Sequence, residues 1–533
     1  PWDIVKPNSQ EFFSNYDPDF RSYDKQQANE AAERLMKEHP AIAEKWREYG
    51  ASFEEQSAYF KEPGAYAALG KGDINTYKIF LERFFALLCP GGHMGIVTPS
   101  GLYTDAGTLP LRSLFFEQSQ VQFLYCFENR WPTIFPAVDG RFKFILFAAV
   151  KGGMTRKFKT AFMEHDPERL PAIDAQAMEM TLEQVKKFSP DTFSIMEFNH
   201  QRDIKITEKI YGDWPLLGDK LEGTWNVSFR RELDMTNDSR LFKMIPTDCP
   251  LYEGKMIWLF DSHYENPRYW LDKRQIEEAL GDSAWEGSCF RLGFRDVAAS
   301  TNERTLIVSI LPRVWYGHTM ATVQPYHPEK MRGGPNEFSS IWLVCFLGSF
   351  CIDYLIRQKV TNHMSYHYMN SLPIPRNQDS LMWKTNSSLV CRAFRLLCVS
   401  DSFKSLWDSV FSIKWQSPEF WYPASSTIDT YGPSHECDIR RRLRDEAAKL
   451  TPEWGPHCGV HDRLPDRRDT GDRAQLRAEI DAYVAHLYGL NREDFAYILD
   501  TFPVLCRKEE QAFGEFKSKR KCLEEYDRIG GIL

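Results

Sequence analysis

From residue 24 to residue 60 the chain reads DKQQANEAAERLMKEHPAIAEKWREYGASFEEQSAYF, with apolar positions at helical spacing in a charged, Ala- and Glu-rich background. Pro40 interrupts the pattern. Proline has no amide hydrogen for a helix interior, so two helices are predicted rather than one. The plain reading is a solvated helical insertion over about 20–65. Next, Tyr77, Phe80, Leu81, Phe84, Phe85 and Leu88 recur as the apolar side of a further helix. Pro90-Gly91-Gly92 stops it, and HMGIVTPS follows as a short buried strand. A helix around 111–118, the strand VQFLYCFEN and the strand RFKFILFAAVKG continue the alternation. Such alternation predicts an α/β layer on a largely parallel sheet, where ligands bind at the carboxyl ends of strands.

Past residue 180 that rhythm is lost. Short aromatic runs and turns alternate with basic positions: Arg230, Arg231, Arg240, Arg304, Arg313, Lys330 and Arg332. KMIWLFD and RTLIVSILP are strand-sized, and IWLVCFLGSFCIDYLIRQ at 341–358 reads as a buried helix. The last region, 381–533, is mainly helical, with Asn491 opening one of its helices. Within it, 415–470 is rich in Pro, Trp, Arg and Asp, has little periodicity, and reads as a linker or irregular insertion. Three regions are therefore expected: 1–180 α/β, 181–380 mixed α+β, and 381–533 helical.

A chain of 533 residues with 43% apolar positions holds more than one core. The net charge of -8 argues against a protein held to nucleic acid by bulk charge, but leaves room for a local basic groove. No apolar run reaches the roughly 18 residues of a membrane span, and the first residues show no leader pattern. Twelve cysteines without a CxxC pair read as reduced thiols, so a cytoplasmic location is expected. LPDRRD at 464–469 offers Pro-Asp without the following ExK of a nuclease. His435, Cys437, His457, Cys458 and His461 lie close in sequence, but their spacing fits no standard finger and no metal is expected. Neither a GxSxG elbow nor a GxxxxGK[ST] phosphate loop is present.

The chain opens PWDIV. Pro1-Trp2 resembles the second half of the (Asn/Asp)-Pro-Pro-(aromatic) motif of amino-methylating DNA methyltransferases. In that family a target adenine is flipped from the duplex. The Asn or Asp side chain and a proline carbonyl accept from its amine, and the aromatic ring stacks on the base. Stacking of this kind is worth roughly 1–3 kcal/mol. The resemblance makes Trp2 the stacking ring and Pro1 the second proline. GDINTYKIFLERFFALLCPGGHMGIVTPSGLYTD resembles the stretch that follows in adenine methyltransferases of the gamma order, matching at Asn75, Tyr77, Phe80, Pro90, Gly91, Gly92 and Pro99. It implies that Asn75 and Tyr77 line the pocket of the methyl donor, S-adenosylmethionine. FENRWPTIFPAVDGRFKFILF resembles a later motif in which an aromatic, here Phe135, packs against the flipped base.

RELDMTNDSRLF, PLYEGKMIWLFD, RDVAASTNERTLIVSILP, SYHYMNSLPIPR and the tail from Tyr488 resemble, in order, segments of large type IIG restriction-modification methylases and of methylases in phage-defence systems such as BREX and DISARM. The implied fold is the C-terminal part of a Rossmann-like methyltransferase sheet over 1–180, a target-recognition domain over 181–380, and a helical C-terminal region. The implied partner is double-stranded DNA, with further restriction or phage-defence subunits. Arg230, Arg231, Asn302 and Arg304 become candidates for facing bases or phosphates. The family's donor-binding glycine turn is missing: GGHMG follows a helix, and ALGKGD follows no apolar strand. The chain therefore reads as the C-terminal part of a longer adenine-specific DNA methyltransferase, expected to bind donor poorly and to be inactive alone. The alternative is a noncatalytic DNA-specificity subunit working with a separate catalytic chain.

Overall fold

Asp24 caps the helix Lys25–Glu38 by accepting from the Gln27 amide, while the Gln27 side chain accepts from the Asp24 amide. Pro40 then begins a second helix, Pro40–Lys61. Proline is tolerated there because its missing amide hydrogen falls in the first turn, where it has no partner to lose. The insertion is not merely solvated. Phe13, Phe20, Ala31 and Ile42 are buried together under Phe12 and Trp46, whose ring centroids lie 4.9 Å apart.

A computed structural model describes residues 2–530 without 63, 65, 131–133, 137, 141, 328–331, 361–362, 377–382, 417–446, 456 and 462–470. Pro1, His435, Cys437, Lys330, LPDRRD and most of the irregular segment expected at 415–470 lie outside the described residues. The chain is a mixed α/β protein with a helical C-terminal part, and it divides into two compact units, Pro1–Gln201 and Arg202–Leu533.

The first unit is built on five strands: β1 (His93–Pro99), β2 (Ser119–Glu128), β3 (Lys143–Lys151), β4 (Lys157–Glu164) and β5 (Met178–Thr181). Their order is β1-β3-β2-β4-β5. The expected largely parallel sheet is mixed instead. Only β2 and β4 pair in parallel, while β3 runs antiparallel to both β1 and β2, and β5 to β4. Antiparallel neighbours need no crossover helix, and the chain returns from β2 to β3 through the loop 129–142. Even so, β1, β2 and β4 point the same way, so their carboxyl ends gather at one edge. Helix Leu109–Gln118 packs Phe115 on Phe147 and Phe116 on Phe158, at ring distances of 5.0 and 5.6 Å. Helix Thr76–Leu87 buries Tyr77, Leu81 and Phe85 but leaves Phe80 and Phe84 exposed, which splits the expected apolar stripe.

The second unit carries two small sheets. β6 (Phe229–Arg230), β9 (Arg291–Arg295), β10 (Val308–Leu311) and β12 (Met320–Val323) form an antiparallel sheet in the order β10-β9-β12-β6. β7 (Pro250–Tyr252), β8 (Tyr269–Trp270) and β11 (Trp315–Tyr316) form the other, in the order β11-β7-β8. Of the two strand-sized runs, RTLIVSILP supplies β10. KMIWLFD begins inside a single helical turn, Gly254–Met256, and forms no strand. The apolar run at 341–358 is two helices, Glu337–Leu347 and Phe350–Arg357, bent by 63°. The restart has a local cause: the Ser349 hydroxyl accepts from the Ile352 amide as an N-cap. Among the described residues no single helix is long and apolar enough to cross a membrane. Helices on both sides of residue 380 share one core: the Cys345 thiol approaches the Leu389 carbonyl at 3.6 Å, and the Phe350 amide donates to Asp481 at 2.8 Å. Asn491 caps helix Arg492–Asp500, as the sequence indicates.

Arg304, expected to face DNA, is buried. Its guanidinium pairs with Asp353 at 2.5 Å, donates to the Gly348 carbonyl and lies over the Phe350 ring. The Thr305 and Leu306 amides also donate to Asp353. Removing one member leaves a buried charge uncompensated, so Arg304→Ala is expected to lower unfolding stability by about 3–5 kcal/mol in urea titration. A second expectation concerns Lys359, buried and donating to the Tyr211 hydroxyl at 2.9 Å and the Ser371 hydroxyl at 2.5 Å. Burial pulls its ammonium down to about 7. Between pH 7 and the ordinary lysine range, the unfolded chain binds the proton that the folded chain has released, so this residue makes stability rise with pH. Lys359→Met should flatten that rise between pH 7 and 9, by up to about 1 kcal/mol per pH unit.

Candidate functional site

The residues after Trp2 are fixed by a short backbone pairing. The Val5 amide donates to the Ile74 carbonyl at 2.8 Å, and the Thr76 amide donates to the Asp3 carbonyl at 2.8 Å. Trp2 is thereby held beside the start of helix Thr76–Leu87. Its indole meets Phe135 edge to face, with centroids 5.1 Å apart and planes at 69°. Phe135 in turn meets Phe144, at the start of β3, at 5.0 Å and 87°. Pairs of this geometry add about 0.5–1.5 kcal/mol beyond area burial. Tyr125, Phe127, Ala161 and Ile173 form the buried floor, and Trp2 and Phe135 remain partly exposed above it.

Phe135 sits on a loop with no regular structure, and Asn129 is what holds it. The Asn129 amide group donates to the Phe135 carbonyl at 3.0 Å and the Val138 carbonyl at 2.9 Å. Its oxygen accepts from the Phe135 amide at 2.9 Å. Asn129 is buried at the end of β2, next to Glu128. Glu128 faces Arg130 at 3.3 Å and His165, just past β4, at 3.8 Å.

The helix start beside Trp2 carries three polar atoms without partners: Asn75 Oδ1, Thr76 Oγ1 and the Tyr77 hydroxyl. Buried polar atoms are ordinarily satisfied, so three in consecutive residues need explanation. The Tyr77 hydroxyl lies against Gly101, just past β1, where an added Cβ would come within 2.9 Å of it and 2.6 Å of Asp105 Oδ2. Burial, with Asp105 nearby, pushes the Tyr77 phenol well above its usual value, so it stays protonated. Arg112 fixes this turn from behind, donating to the carbonyls of Leu102, Asp105 and Thr192.

A second polar group ties β3 to the helical turn after β1 through Glu197. Lys143 pairs with Glu197 at 2.6 Å, and the Tyr103 hydroxyl donates to the other Glu197 oxygen at 2.6 Å. Burial acts to lower the Lys143 ammonium, but Glu197 outweighs it and the net shift is upward. Burial pushes the neighbouring Cys126 thiol up to about 12, which keeps it an inert thiol.

The structure thus brings Trp2 and Phe135 into ring contact and sets Asn75 and Tyr77 on the helix start beside Trp2. Thr76, Asn129 and Gly101 were not legible as site residues. The available signal was the polar Glu128-Asn129-Arg130 closing the apolar run of β2. In the second unit, Arg230 pairs with Glu286 at 3.3 Å, and Arg231 pairs with Asp296. Both are about two-fifths exposed. Asn302 is exposed at its side chain, while its carbonyl accepts from Arg357 at 2.8 Å. Among the described residues no group of three or more metal-ligating side chains gathers.

Fold and site together define an α/β unit whose Trp2–Phe135 ring pair lies by the carboxyl ends of β1, β2 and β4, followed in sequence by a unit of small sheets and helices. Three solved structures resemble parts of the chain. The type IIG restriction endonuclease BpuSI is 14% identical over 72% of this chain and 50% of its own, with a TM-score of 0.25. A nuclease-deletion mutant of the type ISP restriction-modification enzyme LlaGI, in complex with a DNA substrate mimic, is 11% identical over 61% and 37%, with a TM-score of 0.34. The DrdV–DNA complex is 10% identical over 90% and 54%, with a TM-score of 0.35. The chain therefore spans about half the length of two of these proteins and less of the third. No protein-family model and no curated protein matches the chain.

Because Asn129 makes three hydrogen bonds to the Phe135 loop, Asn129→Ala is expected to cost about 1–3 kcal/mol in thermal or urea unfolding. Phe135→Ala, which removes a partly exposed ring, should cost less in the same measurement.

Proposed function

We propose that this chain is part of a site-specific DNA N6-adenine methyltransferase of a restriction-modification or phage-defence system. The observation that carries the reading is the pair of partly exposed rings, Trp2 and Phe135, meeting at 5.1 Å beside three unpartnered polar atoms at 75–77. Trp2 is partly exposed, and an indole at the margin of an apolar floor offers a face on which an adenine extruded from a duplex stacks. Phe135, aimed by Asn129, backs the indole edge to face. Asp3 is no substitute for a missing amide acceptor, since its side chain is exposed and its carbonyl is engaged with Thr76.

S-adenosylmethionine, when bound, supplies an electrophilic methyl group. The residues present fit one flank of it. The Asn75 oxygen accepts from a ligand ammonium or hydroxyl, the Thr76 hydroxyl donates or accepts, and the protonated Tyr77 phenol donates. Gly101 lets Asp105 and the Tyr77 hydroxyl approach the turn after β1, since an added Cβ would meet them at 2.6 and 2.9 Å. This chain contributes positioning rather than acid–base chemistry: its rings fix the base, and its polar helix start orients the donor. The second unit is read as the DNA-reading part, with Asn302 and the half-exposed Arg230 and Arg231 toward the duplex.

The test is methyl transfer from labelled S-adenosylmethionine to duplex DNA by the full-length protein carrying this chain. Trp2→Ala is expected to lower kcat/KM by about 5- to 150-fold, the worth of one stacked base. Phe135→Ala should act in the same direction. 2-Aminopurine at the target position should brighten with the unmutated protein and less with Trp2→Ala. An unchanged rate for Trp2→Ala would overturn the role given to the rings.

A further inference from the structure

Ile245 and Met244, 77% and 69% exposed, are the two most exposed large apolar side chains among the described residues, and they are adjacent. Single exposed apolar residues are ordinary; a neighbouring pair on a solvated loop is not. The loop that carries them is clamped at both ends on one strand. The Lys243 amide donates to the Trp270 carbonyl at 2.8 Å, and the Trp270 amide donates back at 2.9 Å. At the other end the Leu271 amide donates to the Cys249 carbonyl, and the Thr247 hydroxyl donates to the Leu271 carbonyl, both at 2.8 Å. Phe242 packs beneath on Tyr269, with ring centroids 5.6 Å apart, against the core of Leu233, Leu251 and Leu271. Met244, Ile245 and Pro246 form an exposed tip, followed by exposed Thr247 and Asp248.

The loop is flanked by two arginines, in a neighbourhood that also holds Asp238, Asp248 and Asp272. Arg240, in the turn before the loop, and Arg268, beside Tyr269, are exposed and have no acidic partner among the described residues. Lys243 is paired with Asp272 at 3.1 Å, and Asp248 stands at the loop's other end. Beside the loop opens a cleft of about 900 Å³, lined among others by Thr247, Asp248, Trp285, Arg313 and Trp315.

We propose that the loop 243–249 is a wedge that enters duplex DNA: Met244 and Ile245 insert between adjacent base pairs while Arg240 and Arg268 take flanking phosphates. The shape suits that partner. Two apolar side chains are too small an area for a stable protein interface, but Met, Ile and Pro at a rigid tip are the residues that part a base step. The inference rests on the reading of the second unit as DNA-binding and adds how it deforms the duplex.

The experiment is topoisomerase relaxation of a plasmid saturated with the full chain, with plasmid retention measured in parallel over a salt series. The unmutated protein should lower the linking number. The double variant Met244→Ser/Ile245→Ser, whose sites are exposed and outside the core, should retain the plasmid with an unchanged salt slope but lose the linking-number shift. Arg240→Ala/Arg268→Ala should reduce the salt slope by about 2, one for each phosphate lost. Plasmid binding by the unmutated chain without a linking-number change overturns the wedge alone, as does an equal shift with the double serine variant. Failure of the unmutated chain to bind plasmid at low salt overturns the DNA-binding reading and the wedge with it. A fall in sedimenting mass on the serine substitutions would assign the tip to self-association and also overturn the proposal.

Discussion

Two backbone hydrogen bonds, from Val5 to Ile74 and from Thr76 to Asp3, are the constraint on which the candidate site depends. They convert an extended opening segment into a strand-like partner for the turn before helix Thr76–Leu87. Everything proposed for Trp2 follows from that registry. Trp2, one residue before the pairing, is delivered to the edge where β1, β2 and β4 end, rather than left as a solvated tail. A ring at the margin of an apolar floor is both held and accessible, the combination that reversible stacking requires.

Phe135, the ring that meets Trp2, is held by a different device. Phe135 lies on an irregular loop, and one buried amide, Asn129, satisfies its backbone in place of a sheet ladder. Loops carry function when a rigid element aims them; here the end of β2 does so. The polar helix start completes the arrangement with atoms that have no internal partner. Such atoms cost folding energy.

In the second unit arginines divide by burial rather than by sequence neighbourhood. Arg304 and Arg291 are interior: the first is paired with Asp353, and the second with Glu232 over the Tyr316 ring. Arg240 and Arg268 are outside and without a carboxylate. Arginine serves both roles because its guanidinium is always charged and forks to two acceptors. Burial beside a carboxylate makes Arg304 and Arg291 internal braces.

Local rules fixed much of what the chain shows. The junction at Pro40, the Asn491 cap, and the strands β2 and β3 could be read directly, because propensity, capping and apolar runs act over a few residues. Trp2, Asn75, Tyr77 and Phe135 were singled out by resemblance to a motif order, and Thr76 and Asn129 were not. Tertiary structure alone decided the mixed strand order, the burial of Arg304 and the meeting of Trp2 with Phe135. Each of these turns on which distant segment pairs or packs with which. That is settled by register, by available carboxylates and by the competition for a shared core, and none of these is written within reach of a single sequence window.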